Sequence, residues 1–307
     1  MKIVVIGSAN TDMILKVPRI PKTGETVLGG SFSTAAGGKG ANQAVAAARA
    51  GGEVTFIARV GKDMFGAMVI EGFKRDGINT EYVHITRNTP SGVAVIFVDE
   101  RGENSIGVAL GANSLLLPAD IIDAKDVIES ADILLMQLET PLETIEVAAS
   151  LAHARGIPVI LNPAPAQQLP DSLFPLISVL TPNESETAYL TGMQMDIKDF
   201  ETASMAGEIL QKKGVETVIL TLGSHGAALV GSDKSVHIPT YQVKAVDTTA
   251  AGDVFNGALA VRLAEKASFQ EAIQFANAAA ALSVTKLGAQ PSAPMREEIE
   301  RFLSNHS

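Results

Sequence analysis

Cysteine is absent from the 307 residues. That single absence excludes disulfides, thiolate metal sites, iron–sulfur ligation and a cysteine nucleophile, and it suits a reducing compartment. Long apolar runs are absent as well. No uncharged stretch approaches the ~18 residues that span a bilayer, and MKIVVIGSAN carries only a short apolar run before Gly7, too short for a signal-peptide core. The expectation is a cytoplasmic chain with no membrane partner. Basic charge is scarce: 24 Lys and Arg stand against 34 Asp and Glu, giving a net charge of −10. Because the basic residues are scattered singly, no electrostatic footprint for nucleic acid exists. The five histidines never fall at metal-ligand spacing. Neither H-E-x-x-H nor the G-x-S-x-G elbow occurs, which removes the zinc-protease and serine-hydrolase classes.

What is present is an ordinary folding composition, 46% hydrophobic and 19% charged, with 27 Gly and 14 Pro. Short β-branched or Leu-rich runs at 3–6, 54–60, 133–138, 158–161, 179–180 and 218–222 read as buried parallel strands. Between them lie helical patterns at 41–50, 65–76, 142–155, 200–213, 255–265, 269–282 and 294–303. The alternation predicts an α/β protein, a three-layer α/β/α sandwich around a mostly parallel sheet.

Two segments break the rhythm. Residues 13–33 hold Pro18, Pro21 and Gly24, and residues 91–110 read as two strands around Glu100, Arg101 and Gly102. Both faces of Val93 to Val98 are apolar, so a hairpin there covers something on each side. The expected organisation is one catalytic domain, 1–307, with a small β lid built from insertions at about 13–35 and 91–111.

Several polar turns sit where such a sheet presents ligands. Gly37, Gly38, Lys39, Gly40, Ala41, Asn42 and Gln43 lead into an Ala-rich helix, an arrangement whose unpaired N–H groups gather an anion or a hydroxyl, or else form a flexible turn. The spacing matches neither the Walker loop nor G-x-G-x-x-G, so the Walker ATPase and dinucleotide dehydrogenase readings lose ground. A second small-residue run, Asp247 to Asp253, opens another helix. Its backbone nest can stabilise charge on a phosphoryl group in transfer, and Asp253 can take a proton from the attacking hydroxyl, or simply cap the helix.

Asn10 and Asp12 follow the first strand and Glu139 ends another, positions where open α/β sheets hold ligands. An amide with a carboxylate suits sugar hydroxyls, and an Asx turn is the structural alternative. In Thr181, Pro182, Asn183, Glu184, Ser185 and Glu186 the amide and carboxylate suit hydrated Mg²⁺ and its phosphates, or a capping box. Thr221, Leu222, Gly223, Ser224, His225 and Gly226 form a further turn, usable for a nucleotide phosphate or a chain reversal.

Taken in order, G-S-A-N-T-D, G-G-K-G-A-N-Q, Q-L-E at 137–139, N-P-A-P at 162–165, T-P-N-E-S-E, T-L-G-S-H-G, D-T-T-A-A-G-D-V-F-N-G-A and G-A-Q-P-S at 288–292 resemble the ribokinase family of carbohydrate kinases over essentially the whole chain. The resemblance implies ATP-dependent phosphorylation of the 5-hydroxyl of D-ribose. It casts Asp253 as general base and the backbone of Ala250, Ala251, Gly252 and Asp253 as anion hole. Asn10, Asp12, Gly38, Lys39, Gly40, Ala41, Asn42 and Glu139 match the sugar-binding set. Asn183, Glu186, Thr221 to Gly226, Gly252, Asp253 and Asn277 match nucleotide contacts, with Glu186 linked indirectly to Mg²⁺. Asp247, Thr249, Ser283, Lys286, Gly288 and Ser292 fall where a monovalent cation, K⁺, is held, several through carbonyls. A homodimer through the lids is also implied. Without Trp, the stacking platform of hexose sites is missing, which favours a furanose held by hydrogen bonds. The rival readings are a family kinase for deoxyribose, fructose or a nucleoside, and, in another class, a non-catalytic sugar or nucleotide sensor.

Overall fold

In the first strand alternate residues enter two different cores: Ile3 and Val5 pack with one hydrophobic cluster, Val4 and Ile6 with another. A strand buried on both faces belongs at the centre of a parallel sheet. The computed structural model, which describes residues 1–194, 197, 199–231 and 234–306, has this arrangement. Its strands are β1 (Lys2–Ile6), β2 (Asn10–Lys16), β3 (Ser31–Gly37), β4 (Glu53–Gly61), β5 (Val83–Thr86), β6 (Gly92–Val98), β7 (Asn104–Ala109), β8 (Ile133–Met136), β9 (Val159–Leu161), β10 (Val179–Leu180), β11 (Thr217–Thr221), β12 (Ala227–Val230) and β13 (Ser235–Ile238). Its α-helices are α1 (Lys39–Arg49), α2 (Met64–Arg75), α3 (Pro118–Asp123), α4 (Lys125–Glu129), α5 (Leu142–Ala154), α6 (Glu184–Thr191), α7 (Phe200–Lys212), α8 (Ala251–Ala264), α9 (Phe269–Ser283) and α10 (Arg296–Ser304).

The large sheet runs β13-β12-β11-β10-β9-β8-β1-β4-β5 and is parallel except where β11, β12 and β13 pair antiparallel. Helices α1, α8 and α9 supply the core on one face, and α3, α4 and α5 supply it on the other. Of these, α8 buries residues all round, because α1 and α9 flank it over the sheet. The three-layer expectation holds. Strands β5, β12 and β13, too short or too close to an edge to stand out as apolar runs, were not expected.

A second sheet, β3-β2-β6-β7, stands apart from the first. It draws on both segments that broke the sequence rhythm: the first starts earlier, at Asn10, and ends later, at Gly37, than expected, and the second lies within its expected bounds. Asn10 and Asp12 therefore lie on β2 and not in a loop after β1, in register with Gly37 and Ala35 of β3 and with Gly92 and Ala94 of β6. In-register residues share a face of a sheet. The face bearing Asp12 thus also carries Ile14, Ile96, Ile106 and Val108, and the opposite face carries Met13, Phe32, Val93 and Val95.

Candidate active site

The turn into α1 is built on two glycines that nothing larger replaces. Gly38 sits at φ 91°, and a Cβ there would come within 2.9 Å of the Ser8 carbonyl. A Cβ on Gly40 would lie 2.6 Å from the backbone of Gly7. This close approach fixes where the donors point, and they are already used. Lys39 N donates to Glu139 Oε2 at 3.0 Å, Gly40 N to Ser8 Oγ at 3.4 Å, Ala41 N to the Ser8 carbonyl at 2.8 Å and Asn42 N to the Gly38 carbonyl at 2.8 Å. Ser8 Oγ donates to the same Glu139 oxygen. The expectation of open N–H groups at this turn is therefore corrected: the anion at the head of α1 is the protein's own Glu139.

The head of α8 differs. The helix starts at Ala251, earlier than its apolar pattern suggests, after Ala250 at φ 59°. Ala251 N reaches the Thr248 carbonyl at 3.3 Å, but among the described residues nothing accepts from the N–H of Ala250, Gly252 or Asp253. These donors and the positive helix end face a polar cavity of about 210 Å³ lined by Lys39, Asn162, Asn183, Glu186, Gly252 and Asp253, among others. Thr248 and Ala251 also line an apolar slot of about 250 Å³, with Gly223, Ser224, Tyr241, Val243, Ala280 and Val284. A polar chamber and an apolar slot that share walls suit a nucleotide, phosphates in the one and base in the other.

Asp253 is buried in the first turn of α8, its Oδ2 accepting from Asn42 Nδ2 at 2.9 Å and its Oδ1 from Gln43 Nε2 at 3.0 Å. Burial pushes its carboxyl above the ordinary Asp range, opposed by Lys39 and the two amides and reinforced by Glu139. A raised carboxyl in a polar cavity is the tuning a general base needs. Burial works to lower the Lys39 ammonium, yet Asp253, Glu139 and Glu186 together hold it above the usual lysine value. It stays a cation facing the cavity.

The Asp12 carboxylate has no hydrogen-bond partner among the described residues, and it is pushed up to about 6 by burial, then by Glu139 and Asp253. Asn10 is oriented by Asn113, whose Nδ2 donates to Asn10 Oδ1 at 2.7 Å while its Oδ1 accepts from Ala9 N at 2.9 Å. The end of Asn10 left over is a donor. An acceptor pair, a donor and the remaining oxygen of Glu139 could together take sugar hydroxyls beside Asp253.

On the other side, the bridge between Asn183 and Thr221 joins two predicted nucleotide segments. Asn183 caps α6, its Oδ1 accepting from Glu186 N at 2.8 Å, and Glu186 answers with Oε2 on Asn183 N at 2.9 Å. Glu186 Oε1 accepts from Asn183 Nδ2 at 3.0 Å, so both oxygens are engaged within the protein. Burial raises its carboxyl, while the Asn183 N–H and Lys39 pull it back. Among the described residues no cluster of three acidic or histidine side chains could cage a metal. The donor set fits a hydrated Mg²⁺ carried on phosphates, with Glu186 acting at one remove. Gly223 to His225 form a 3₁₀ turn ending at Gly226, φ 93°. Leu222 is buried in an apolar cluster beneath that turn. Asn277 is also buried, donating to the Ile238 and Pro239 carbonyls at 3.3 and 3.1 Å, so it shapes the wall of the nucleotide region without lining the slot.

The predicted cation segments are stitched together. Val246 N and Asp247 N donate to the Val284 carbonyl, and Gly288 N donates to Asp247 Oδ2 at 2.8 Å. Asp247 Oδ1 accepts from Thr249 N at 2.9 Å. The carbonyls of Asp247, Thr249, Lys286 and Gly288 receive no donor among the described residues. Ser283 and Ser292 spend their hydroxyls on Ala280 and Ala289 carbonyls, and the Lys286 ammonium pairs with Glu298 at 2.9 Å. Unpartnered carbonyls and no free anionic cage fit a large monovalent cation.

Residues that the sequence reading left without a role complete the site: Ser8, Gln43, Asn113, Gln137, Asn162, Thr181 and Asn256. Asn256, on α8, accepts from Thr181 Oγ1 at 2.6 Å and donates to the Gly252 carbonyl at 2.8 Å, bracing the anion nest from behind.

Residues 1–296 match the family described as pfkB family carbohydrate kinase, and the chain belongs to it. Within that family, a ribokinase of Haemophilus influenzae is 46% identical over 98% of each chain. A deoxyribokinase of Salmonella typhi is 41% identical over 99% of each chain. The structure of Arabidopsis thaliana ribokinase complexed with ribose and ATP superposes with a TM-score of 0.91 at 36% identity, covering 98% of both chains. The α/β body with a separate small sheet is the ribokinase-like fold.

Proposed function

We propose that this chain is an ATP-dependent kinase of D-ribose, transferring the γ-phosphoryl group to the 5-hydroxyl and releasing ribose 5-phosphate and ADP. The observation that carries the reading is Asp253, a buried carboxylate set between the unpartnered N–H groups heading α8 and the unpartnered acceptor Asp12. Asp253 takes the hydroxyl proton as the oxygen attacks, and the N–H groups of Gly252 and Asp253 with the Lys39 ammonium meet the charge on the transferring group. Mg²⁺, carried on the phosphates, would neutralise their charge, and Glu186 is the residue that would meet it, at one remove. A K⁺ held by carbonyls of the 247–249 and 286–288 segments would brace the approach to the α8 nest.

Ribose is favoured over 2-deoxyribose because Asp12 offers two free oxygens, and a sugar lacking one of two neighbouring hydroxyls leaves one of them unpaired. Kinship with the deoxyribokinase keeps deoxyribose as the second reading. Intact Asp253 and Gly252 count against a non-catalytic sensor. We take 1–307 as one catalytic domain whose small sheet, about 13–35 and 91–111 with its flanks, acts as a lid over the sugar. The lid also pairs with that of a second copy in a cytoplasmic homodimer. No helix among the described residues is long and apolar enough to cross a membrane. Coupled ADP release across ribose, deoxyribose, fructose and a nucleoside tests the assignment. Ribose should give the highest kcat/KM, and Asp253→Asn should lower turnover about 10²- to 10⁴-fold. Near-normal turnover in that variant overturns the base.

A further inference from the structure

Gln43 is fully buried, touches neither cavity, and yet holds the base. Its Nε2 donates to Asp253 Oδ1 at 3.0 Å and to Asn162 Oδ1 at 3.1 Å, while its Oε1 accepts from Gln137 Nε2 at 2.6 Å. Side-chain amides are ambiguous between their two ends, and a network resolves them only where it meets a group of fixed polarity. Here it does so. The Thr181 carbonyl can only accept, and Asn162 Nδ2 donates to it at 2.9 Å. Asn162 must therefore turn its oxygen to Gln43, which must present its NH₂ to both Asn162 and Asp253, leaving its own oxygen for Gln137. One backbone carbonyl thus sets the polarity of a buried amide chain that ends on the base.

We propose that Gln43 is a positioning residue for phosphoryl transfer, its amide oriented by Asn162 and Gln137 so that it aims Asp253 at the sugar hydroxyl and favours the ionised carboxylate. The inference rests on Asp253 being the base. Lys39, from α1, and Asn42 also favour the ionised form, whereas Glu139, Asp12 on β2 and Glu186 on α6 oppose it. Gln43 differs from Asn42 in lying behind the base, away from the sugar. Removing its N–H should therefore alter proton affinity and aim without removing a sugar contact.

The test is Gln43→Leu, which removes the amide while keeping an apolar side chain of similar bulk. Expected are a turnover loss of about tenfold or more, a ribose Kd by calorimetry without ATP within about threefold of wild type, and an acid limb of the kcat–pH profile moved upward by about one pH unit. Gln43→Glu should move the limb further, a second carboxylate lying against the first. A role confined to packing would lower thermal stability without moving the limb. If Gln43→Leu fails to fold, Gln137→Met removes only one of the two partners that orient the amide and should move the limb the same way by less. An unmoved limb with turnover within twofold overturns the proposal. An inactive Asp253→Asn beside it would show that the base assignment survives.

Discussion

Glu139 Oε2 accepts the backbone N–H of Lys39 at 3.0 Å, so the carboxylate after β8 caps α1 while its other oxygen remains for a ligand. One residue thus joins helix stability to the proposed sugar site. Glu139→Ala should lose the capping energy, about 1 kcal/mol, and raise the sugar KM at least tenfold. The ATP KM should hardly change. Equal loss of both affinities would detach Glu139 from the sugar side.

Asp12 links function to stability with a definite sign. Its carboxyl titrates near 6 in the fold against 3.8 as a free side chain. The folded state thus binds this proton more readily than the unfolded one. The destabilisation is fully present above pH 6, shrinks as pH falls from 6 toward 4, and is gone below 3.8. A shift from 3.8 to about 6 is worth on the order of 3 kcal/mol. Asp12→Asn should raise Tm by a few degrees at pH 7.5 and by nothing at pH 4, measured by calorimetry. The wild-type sugar KM should climb as pH falls below about 6, since a protonated Asp12 loses acceptor capacity. A Tm gain that persists at pH 4 would place its cause elsewhere.

Asp247 is the clasp of the proposed cation loop, holding Thr249 and Gly288 through its two oxygens. Replacing K⁺ by Na⁺ should lower turnover severalfold, because the smaller, more strongly hydrated ion gives up its water less readily to a carbonyl lining. Asp247→Ala should abolish the distinction between the two ions, as its loop loses both ties. Identical activity in K⁺-free buffer removes the site.

The body of the fold was legible in the sequence because strands buried on both faces, such as Ile3 to Ile6, and Ala-rich helices announce themselves by pattern. The start of α8 was not, since Ala250 to Gly252 read as a loop and only the left-handed turn at Ala250 lets the helix begin at Ala251. Asn10 and Asp12 were singled out as lying just past the first strand and not on a strand of their own, because β2 is cut short by Val17 and Pro18 and pairs with residues far along the chain. Gln43, Gln137 and Asn162 carried no role. Their meaning is a contact between segments roughly a hundred positions apart, which periodicity cannot reveal. The available signal was a Gln at the end of an apolar strand run and another inside an Ala-rich helix, both buried polar groups in need of partners.

The small sheet leaves apolar side chains in water on both faces. Phe32 is 63% exposed and Val95 42% on one, Ile106 55% and Val108 49% on the other. With the face that bears Asp12 closing over the sugar, the opposite face with Phe32 and Val95 gains most from packing on the same face of a second copy about a two-fold axis. Light scattering should find a dimer at micromolar concentration. Val95→Glu should dissociate it, because a charge buried in such an interface goes unpaired. Since β2 carries Asn10 and Asp12 within the same sheet, the monomeric variant should also show a raised sugar KM with the ATP KM preserved. A wild-type monomer, or a Val95→Glu dimer, would show that some other surface joins the subunits or that none does.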